Sequence, residues 1–358
     1  MKKVRLGIIG AGNITVGHLD GSLKSPDLEV TAICDVNEAQ LKKRADQYGI
    51  KNRFKNHIDL INCPEVDAVS ICTPNSTHYA IAKDVILKGL PYILEKPVTV
   101  SYKESNELVK LTNERNVPSM VGFYYRYKSA ARYAKWLVKE GHLGTIRHVY
   151  AQYLQGWAIS EEMEHSWRFM KEFSGTGVLG DLGSHMIDLT RFVVGEFEQV
   201  CGHLGTFVTK RKIPGTSEYR TVDVDDYSHF LAALEGGVGA VFSITRDAYG
   251  RGNYQRMEIY GTQGALVYML DEEGRHEDYL EVCIGNVYAQ DRQFHRLNIP
   301  DRFKSEQMQS FADTCNEKGD NMSASIEDGS ISQLVVDCIA KSFETKKWIN
   351  IKEEINNV

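Results

Sequence analysis

No apolar run in this chain approaches the roughly 18 residues that cross a bilayer, so the sequence offers no membrane helix. Runs of five or more basic residues are also missing. With a net charge of -6 and a pI near 6.0, nothing implies a general attraction to nucleic acid or to an anionic membrane. Cysteine is sparse: seven, scattered, and never spaced C-x-x-C. That argues against a disulfide framework or a zinc site and for reduced thiols in a cytoplasm. The N-x-[ST] matches at Asn13, Asn75 and Asn321 then carry no glycan. The opening "MKKVRLGIIGAGN" has too short and too Gly-punctuated an apolar patch for a signal peptide. Internal repeats and low-complexity segments are missing too.

What is present is ordinary globular material, 42% hydrophobic and 25% charged over 358 residues, a length that suggests about two domains. Up to about residue 120 the chain alternates. "VRLGIIG", "EVTAICD", "VDAVSIC", "PYILEKP" and "VPSMVGF" read as buried strands. Between them lie helical patterns, among them "NEAQLKKRADQYG", with Asn37 as N-cap and Gly49 as stop, and "SYKESNELVKLTNERN", with a Ser101/Glu104 capping box. This is the grammar of parallel βαβ units. Later segments such as "YSHFLAALEGGVGAVFSITR" and "RMEIYGTQGALVYML" read as strands joined by Gly-bearing turns. Helical patterns recur at 128–140, 181–194 and across "SIEDGSISQLVVDCIAKSFETK". The expectation is an α/β Rossmann domain over 1–122 and an α+β domain over 123–358 with a large open, mainly antiparallel sheet.

"GIIGAGNIT" puts Gly10 and Gly12 between the first strand and a helix, where backbone N–H groups and the helix dipole hold a pyrophosphate. Thr15 fills the last position of the G-x-G-x-x-[G/A] fingerprint. Asp35 ends the second strand, where a carboxylate accepts ribose hydroxyls and repels a 2′-phosphate. Without an Arg at Val36 or Asn37, the pattern favours NAD over NADP. "CTPNSTH" places Thr73, Asn75 and His78 after another strand end, also the ligand side of such a sheet. "YILEKP" sets Glu95 and Lys96 at a strand end, with Pro97 restricting Lys96 to extended backbone. In "GDLGSHMIDL", Asp181, His185 and Asp188 fall at i, i+4 and i+7 on one helix face.

Taken in order, "GAGN", "CTPNSTH", "EKP" and "GDLGSHMIDL" resemble the Gfo/Idh/MocA family of oxidoreductases over essentially the whole chain. The resemblance implies the two-domain fold above and NAD(P)-dependent redox chemistry on sugars, inositols and their relatives. It implies catalytic roles for Lys96, Asp181 and His185. It places Gly10, Gly12, Asn13 and Ile14 on the pyrophosphate, Asp35 on the adenosine ribose, and Thr73, Asn75, His78, Glu95, Lys96 and Arg126 along the cofactor. Two departures stand out, Thr15 and Tyr124, the latter where many members have Asn.

The chemistry expected is oxidation of a secondary alcohol. Histidine, with an ordinary pKa near about 6.5, is the usual base. His185 then takes the hydroxyl proton, Asp181 orients the ring or bonds a neighbouring hydroxyl, and Lys96 stabilises charge on the reacting oxygen. Asp188 is left a supporting role. Tyr153, Trp157, Trp167 and Arg168 are candidates for stacking on a sugar and bonding its hydroxyls, alongside Lys96, Asp181 and His185. His165, among Glu161, Glu162 and Glu164, lacks a second His or Cys and reads as a solvated loop, so no metal is expected. The reading is a cytoplasmic NAD-dependent dehydrogenase of a small carbohydrate or polyol, a homodimer or homotetramer through its second sheet. Two alternatives use the same parts: glycoside cleavage through transient oxidation and elimination, or a non-enzymic NAD-binding regulator.

Overall fold

The computed structural model describes residues 3–271, 278–285 and 292–356. The chain divides into two units. The first runs up to Tyr124 and adds Ser305–Ile331; the second is Tyr125–Lys304 with the chain from Ser332 onward.

The first unit opens with β1 (Val4–Ile9), α1 (Thr15–Lys24), β2 (Leu28–Cys34), α2 (Glu38–Tyr48), β3 (Asn52–Phe54) and α3 (His57–Ile61). It continues with β4 (Ala68–Ile71), α4 (Asn75–Lys88), β5 (Tyr92–Leu94), α5 (Tyr102–Arg115) and β6 (Ser119–Val121). The six strands form one parallel sheet in the order β3-β2-β1-β4-β5-β6. Helices on both faces explain why its strands read as near-continuous apolar runs: Leu6, Ile8, Ala32, Val69, Ile71, Ile93 and Leu94 are all buried. Local signals act as expected. Asn37 accepts from the amides of Ala39 and Gln40, Gly49 ends α2 at φ 67°, and Ser101 accepts from the Glu104 amide.

The second unit contains α6 (Ser129–Lys139), β7 (Ile146–Leu154), α7 (Lys171–Ser174), a π-turn (Leu179–Gly183) and α8 (Ser184–Val193). Then come β8 (Phe197–Gly205), β9 (Lys210–Lys212), β10 (Tyr219–Thr221), β11 (Tyr227–Leu234) and β12 (Val238–Thr245). β13 (Tyr254–Gly261), β14 (Gly264–Asp271), β15 (Asp278–Ile284) and β16 (His295–Arg296) follow. α9 (Gln307–Cys315) belongs to the first unit, α10 (Ile326–Thr345) follows it, and β17 (Ile349–Asn350) and α11 (Ile351–Ile355) close the second.

Nine strands make the second sheet, in the order β16-β15-β14-β13-β7-β12-β11-β8-β17. Its pairs are antiparallel except β12 with β7. β7, β11 and β12 alternate buried and exposed residues, so one face is covered and one is open.

A single boundary at 122/123 was expected, whereas residues 305–331 return to the first unit. The reason is long-range bonding: Gln309 Nε2 donates to Asp27, Ser25 Oγ donates to Gln309, and the Val121 amide donates to the Ala324 carbonyl.

Candidate active site

In a parallel sheet, ligands sit beyond the carboxyl ends of the strands where the strand order reverses. Here that point lies between β1 and β4. Gly10 follows β1 with φ +103°, and a Cβ there would meet the Cys72 carbonyl oxygen at 2.4 Å. Only glycine fits. A Cβ on Gly12 would meet nothing within 4 Å; it would stand in the open space over the turn, where an anion would approach the backbone. Asn13 and Ile14 are exposed at the start of α1. Thr15, unusual at its position, is fully buried and donates to the Gly10 carbonyl at 2.9 Å, so its hydroxyl braces the turn.

Asp35 closes the same turn. Its two carboxylate oxygens accept from the amides of Ala11 and Asn37, each at 2.7 Å. Each oxygen can accept a second hydrogen bond, which leaves capacity for two ribose hydroxyls. Arg44 of α2, which sequence reasoning missed, is buried with Nη2 donating to the Gly12 carbonyl at 3.2 Å and Nη1 to Gln47. The signal was present only as a basic residue on a helix following Asp35.

Thr73 and Asn75 lie between β4 and α4, partly exposed. His78 is different. It is fully buried, with Nδ1 2.9 Å from the Pro97 carbonyl and Nε2 2.9 Å from the Thr73 carbonyl. Burial lowers its pKa below the ordinary value, and a neutral ring donates through one nitrogen only. His78 thus bonds one of the two carbonyls and faces the other, so both ring nitrogens are turned to the backbone and not to a ligand. Glu95 is also buried, and Lys96 beside it is half-buried.

In the second unit the helix carrying Asp181 and His185 begins differently from the α-helix expected at 181. Leu179–Gly183 is a π-turn, and α8 starts only at Ser184. Asp225 holds the chain that leads into the π-turn. Its oxygens accept from the amides of Gly177 at 2.7 Å and Leu179 at 2.8 Å, and its carbonyl accepts from Val178. A Cβ on Gly177 would lie 2.0 Å from the Asp225 carbonyl oxygen, so "GTGVLG" needs glycine at that point. Such π-turns within helices recur at functional sites. Asp225→Ala leaves two buried amides without their acceptor. We expect it to cost about 2–3 kcal/mol in urea unfolding; a loss below about 0.5 kcal/mol would remove this support role.

Asp181 is half-buried, His185 and Asp188 are buried. Tyr125 packs edge-on to His185, ring centroids 4.7 Å apart, and Tyr153 lies 6.1 Å from it. The two tyrosine hydroxyls are 2.7 Å apart. Burial, then the neighbouring Tyr125 and Asp181, raise the pKa of Tyr153 well above its ordinary 10.0, so it stays a neutral phenol. The Asn253 carboxamide lies against the Tyr125 hydroxyl, Oδ1 at 3.2 Å and Nδ2 at 3.0 Å, and Gln155 Nε2 donates to Tyr153. A histidine, a carboxylate and a bonded set of hydroxyl and amide groups can move a proton and bond several hydroxyls. Tyr125, Gln155 and Asn253 were missed, because nothing local marks them.

Arg126 was expected at the cofactor. Its side chain is buried, and Nε and Nη2 donate to Asp188 at 2.8 and 2.6 Å. The fork is committed to Asp188, because a buried carboxylate needs a paired charge. Trp157 lines a cavity of about 720 Å³ with Ser160, Tyr249, Arg251 and Asn253, so it shares Asn253 with the His185 cluster. Trp167 and Arg168 stack on each other at 4.6 Å and are not among the residues lining this cavity. His165 is not a solvated loop residue: it is buried, its amide donates to the Lys212 carbonyl, and its ring packs against Phe169.

Residues 4–123 match the family described as "Oxidoreductase family, NAD-binding Rossmann fold", and residues 131–267 match "GFO/IDH/MocA C-terminal domain". Among characterised proteins, levoglucosan dehydrogenase of Pseudarthrobacter phenanthrenivorans is 29% identical over 99% of both chains. Inositol 2-dehydrogenase of Rhizobium meliloti is 24% identical over 97% of this chain and 99% of its own length. A solved levoglucosan dehydrogenase in complex with NADH and L-sorbose superposes with a TM-score of 0.90 at 28% identity, covering 98% of this chain and 99% of that one.

Proposed function

This chain belongs to the GFO/IDH/MocA family of NAD-binding oxidoreductases, and on that premise we propose that it oxidises a secondary hydroxyl of a sugar, inositol or related polyol. The observation that carries the reading is the buried His185 set against Tyr125 and Tyr153, with Asp181 acting on Tyr153, in a chain whose Gly10–Asp35 turn suits a dinucleotide. The substrates named for the relatives above point the same way.

NAD, when bound, supplies the hydride acceptor. Gly10, Gly12, Asn13 and Ile14 would hold its pyrophosphate and Asp35 its adenosine ribose, with Thr73, Asn75, Glu95 and Lys96 further along. His185 takes the hydroxyl proton as the C–H electron pair leaves as hydride and the carbonyl forms. Asp181 orients the imidazole or bonds an adjacent hydroxyl. The Lys96 ammonium stabilises negative charge on the reacting oxygen, an effect strongest where water is excluded.

NAD over NADP is supported by Asp35 and by exposed, uncharged Val36 beside it, since a 2′-phosphate would face a carboxylate with no cation at 36 or 37. Asp35→Ser is expected to lower the NAD/NADP ratio of kcat/KM by at least about tenfold, or 1.4 kcal/mol. An unchanged ratio would show that discrimination lies elsewhere.

A dimer or tetramer through the second sheet is supported by its open face. Leu231, Val241 and Tyr150 lie side by side in register and are 47%, 42% and 46% exposed. A contiguous apolar row of this kind favours a second copy, and sedimentation of the full chain tests it. A cytoplasmic setting is supported by the free state of all seven cysteines.

The deciding experiment is a screen of inositols, hexoses, pentoses, anhydrosugars and glycosides with NAD and NADP, followed by NADH absorbance. Stoichiometric free NADH with a keto product is expected. A substrate consumed without net NADH would replace dehydrogenation by redox-assisted elimination.

A further inference from the structure

Four buried side chains meet below the carboxyl ends of β4 and β5: His18 of α1, Ser70 and Cys72 at β4, and Glu95 after β5. His18 Nε2 lies 2.8 Å from Glu95 Oε1, and His18 Nδ1 lies 2.8 Å from Ser70 Oγ. Ser70 Oγ is in turn 3.3 Å from Cys72 Sγ. The other oxygen of Glu95, Oε2, accepts the backbone N–H of Lys96 at 3.2 Å. Space for this carboxylate depends on Gly122, where a Cβ would stand 2.5 Å from Glu95 Oε1.

A buried carboxylate without a partner is costly, and it takes up a proton to avoid the charge. Here one oxygen faces an imidazole and the other a peptide N–H. Burial works against a charged His18, but Cys72 and Glu95 outweigh it and raise its pKa well above the ordinary value, with the direct contact made by Glu95. In the charged ring both nitrogens donate, Nδ1 to Ser70 and Nε2 to Glu95. In the neutral ring the Ser70 contact reverses and Nε2 still donates to Glu95. The Nε2–H···Oε1 bond is the constant of the network.

We propose that His18 is a positioning residue for Lys96. It holds the Glu95 carboxylate in the orientation that accepts the Lys96 N–H, and so fixes the peptide from which the Lys96 side chain projects. The proposal rests on the reading that Lys96 acts on the reacting oxygen. None of the sequence motifs contains His18.

Two polar substitutions separate this role from simple packing. His18→Asn places its amide near Nδ1, keeping reach to Ser70 and losing Glu95. His18→Gln places its amide near Nε2 and keeps a donor to Glu95. With NAD and levoglucosan or myo-inositol as probes, H18N is expected to lower kcat by about ten- to a hundredfold, as small misplacements of a reacting group do. The loss should fall mainly on kcat, with a much smaller change in KM, and H18Q should retain most of wild-type kcat. Equal losses in the two variants, or wild-type kcat in H18N, would overturn the proposal. Lys96→Met measured alongside distinguishes the failures. Wild-type turnover in K96M means the assignment of Lys96 has failed, whereas an impaired K96M with an intact H18N sinks the His18 proposal alone.

Discussion

Replacing His185 with Ala is expected to lower kcat by about two to four orders of magnitude, the range general base catalysis contributes. NADH affinity, measured by fluorescence titration, should stay within about twofold of wild type. The two readouts separate because the residues proposed to hold the dinucleotide pyrophosphate and ribose, Gly10 to Asp35, belong to the first unit, and His185 to the second. The imidazole sits on a helix whose residues are nearly all buried, edge-on to Tyr125. That packing restricts the ring, so its loss removes a placed group, not a mobile one. The neutral phenol of Tyr153 is a poor substitute for a base at neutral pH, since its pKa is raised well above 10.0. Turnover at the wild-type rate in H185A would remove the assignment of the base and move attention to Asp181.

Arg126→Met is expected to destabilise the protein by about 3–5 kcal/mol, because it removes the charged donor of two bonds to the buried Asp188 carboxylate. The guanidinium and carboxylate side chains are 4% and 2% exposed and joined by two bonds, so solvent cannot take over the role of either. A fall in Tm on the order of 10 °C is the corresponding thermal result. The double variant Arg126→Met/Asp188→Leu removes both charges and should recover most of the loss, since replacing a whole buried pair with apolar groups is often neutral. This cycle discriminates between two views of Arg126. A cofactor ligand would lose NADH affinity in both variants and little stability in either. A structural partner of Asp188 loses stability in the single variant and regains it in the double.

The Rossmann unit was legible to a high degree. Five of its six strands announce themselves as apolar runs between turn residues, and only β3, three residues long, escaped. Asn37, Gly49 and Ser101 cap their helices with side chains and backbone that are near in sequence, so local chemistry suffices. The second sheet was legible in its strands and not in its pairing. The parallel contact of β12 with β7 sits inside an otherwise antiparallel sheet, and period-2 alternation is the same for either direction.

The site divides along the same line. The positions of Gly10, Asp35 and Lys96 at turns and strand ends, and of His185 on a helix, were readable because such features are set by dihedral geometry over a few residues. Tyr125 and Asn253 are 128 residues apart and Arg126 and Asp188 are 62 apart. No spacing rule joins such pairs. The same holds for Asp225, which accepts the Gly177 amide ahead of the π-turn from 48 residues away.

The sequence by itself determined the elements, the order of the strand ends that face a dinucleotide, and the identity of the residues offered to chemistry. The tertiary structure alone decided which polar atoms satisfy one another. It sent Arg126 to Asp188, placed His78 between two backbone carbonyls, and set His18 against Glu95. The physical reason is that an unpaired buried polar atom costs free energy whatever its sequence neighbours are. Its partner is chosen by packing and register, which place distant residues within 3 Å and leave no periodic trace in the chain.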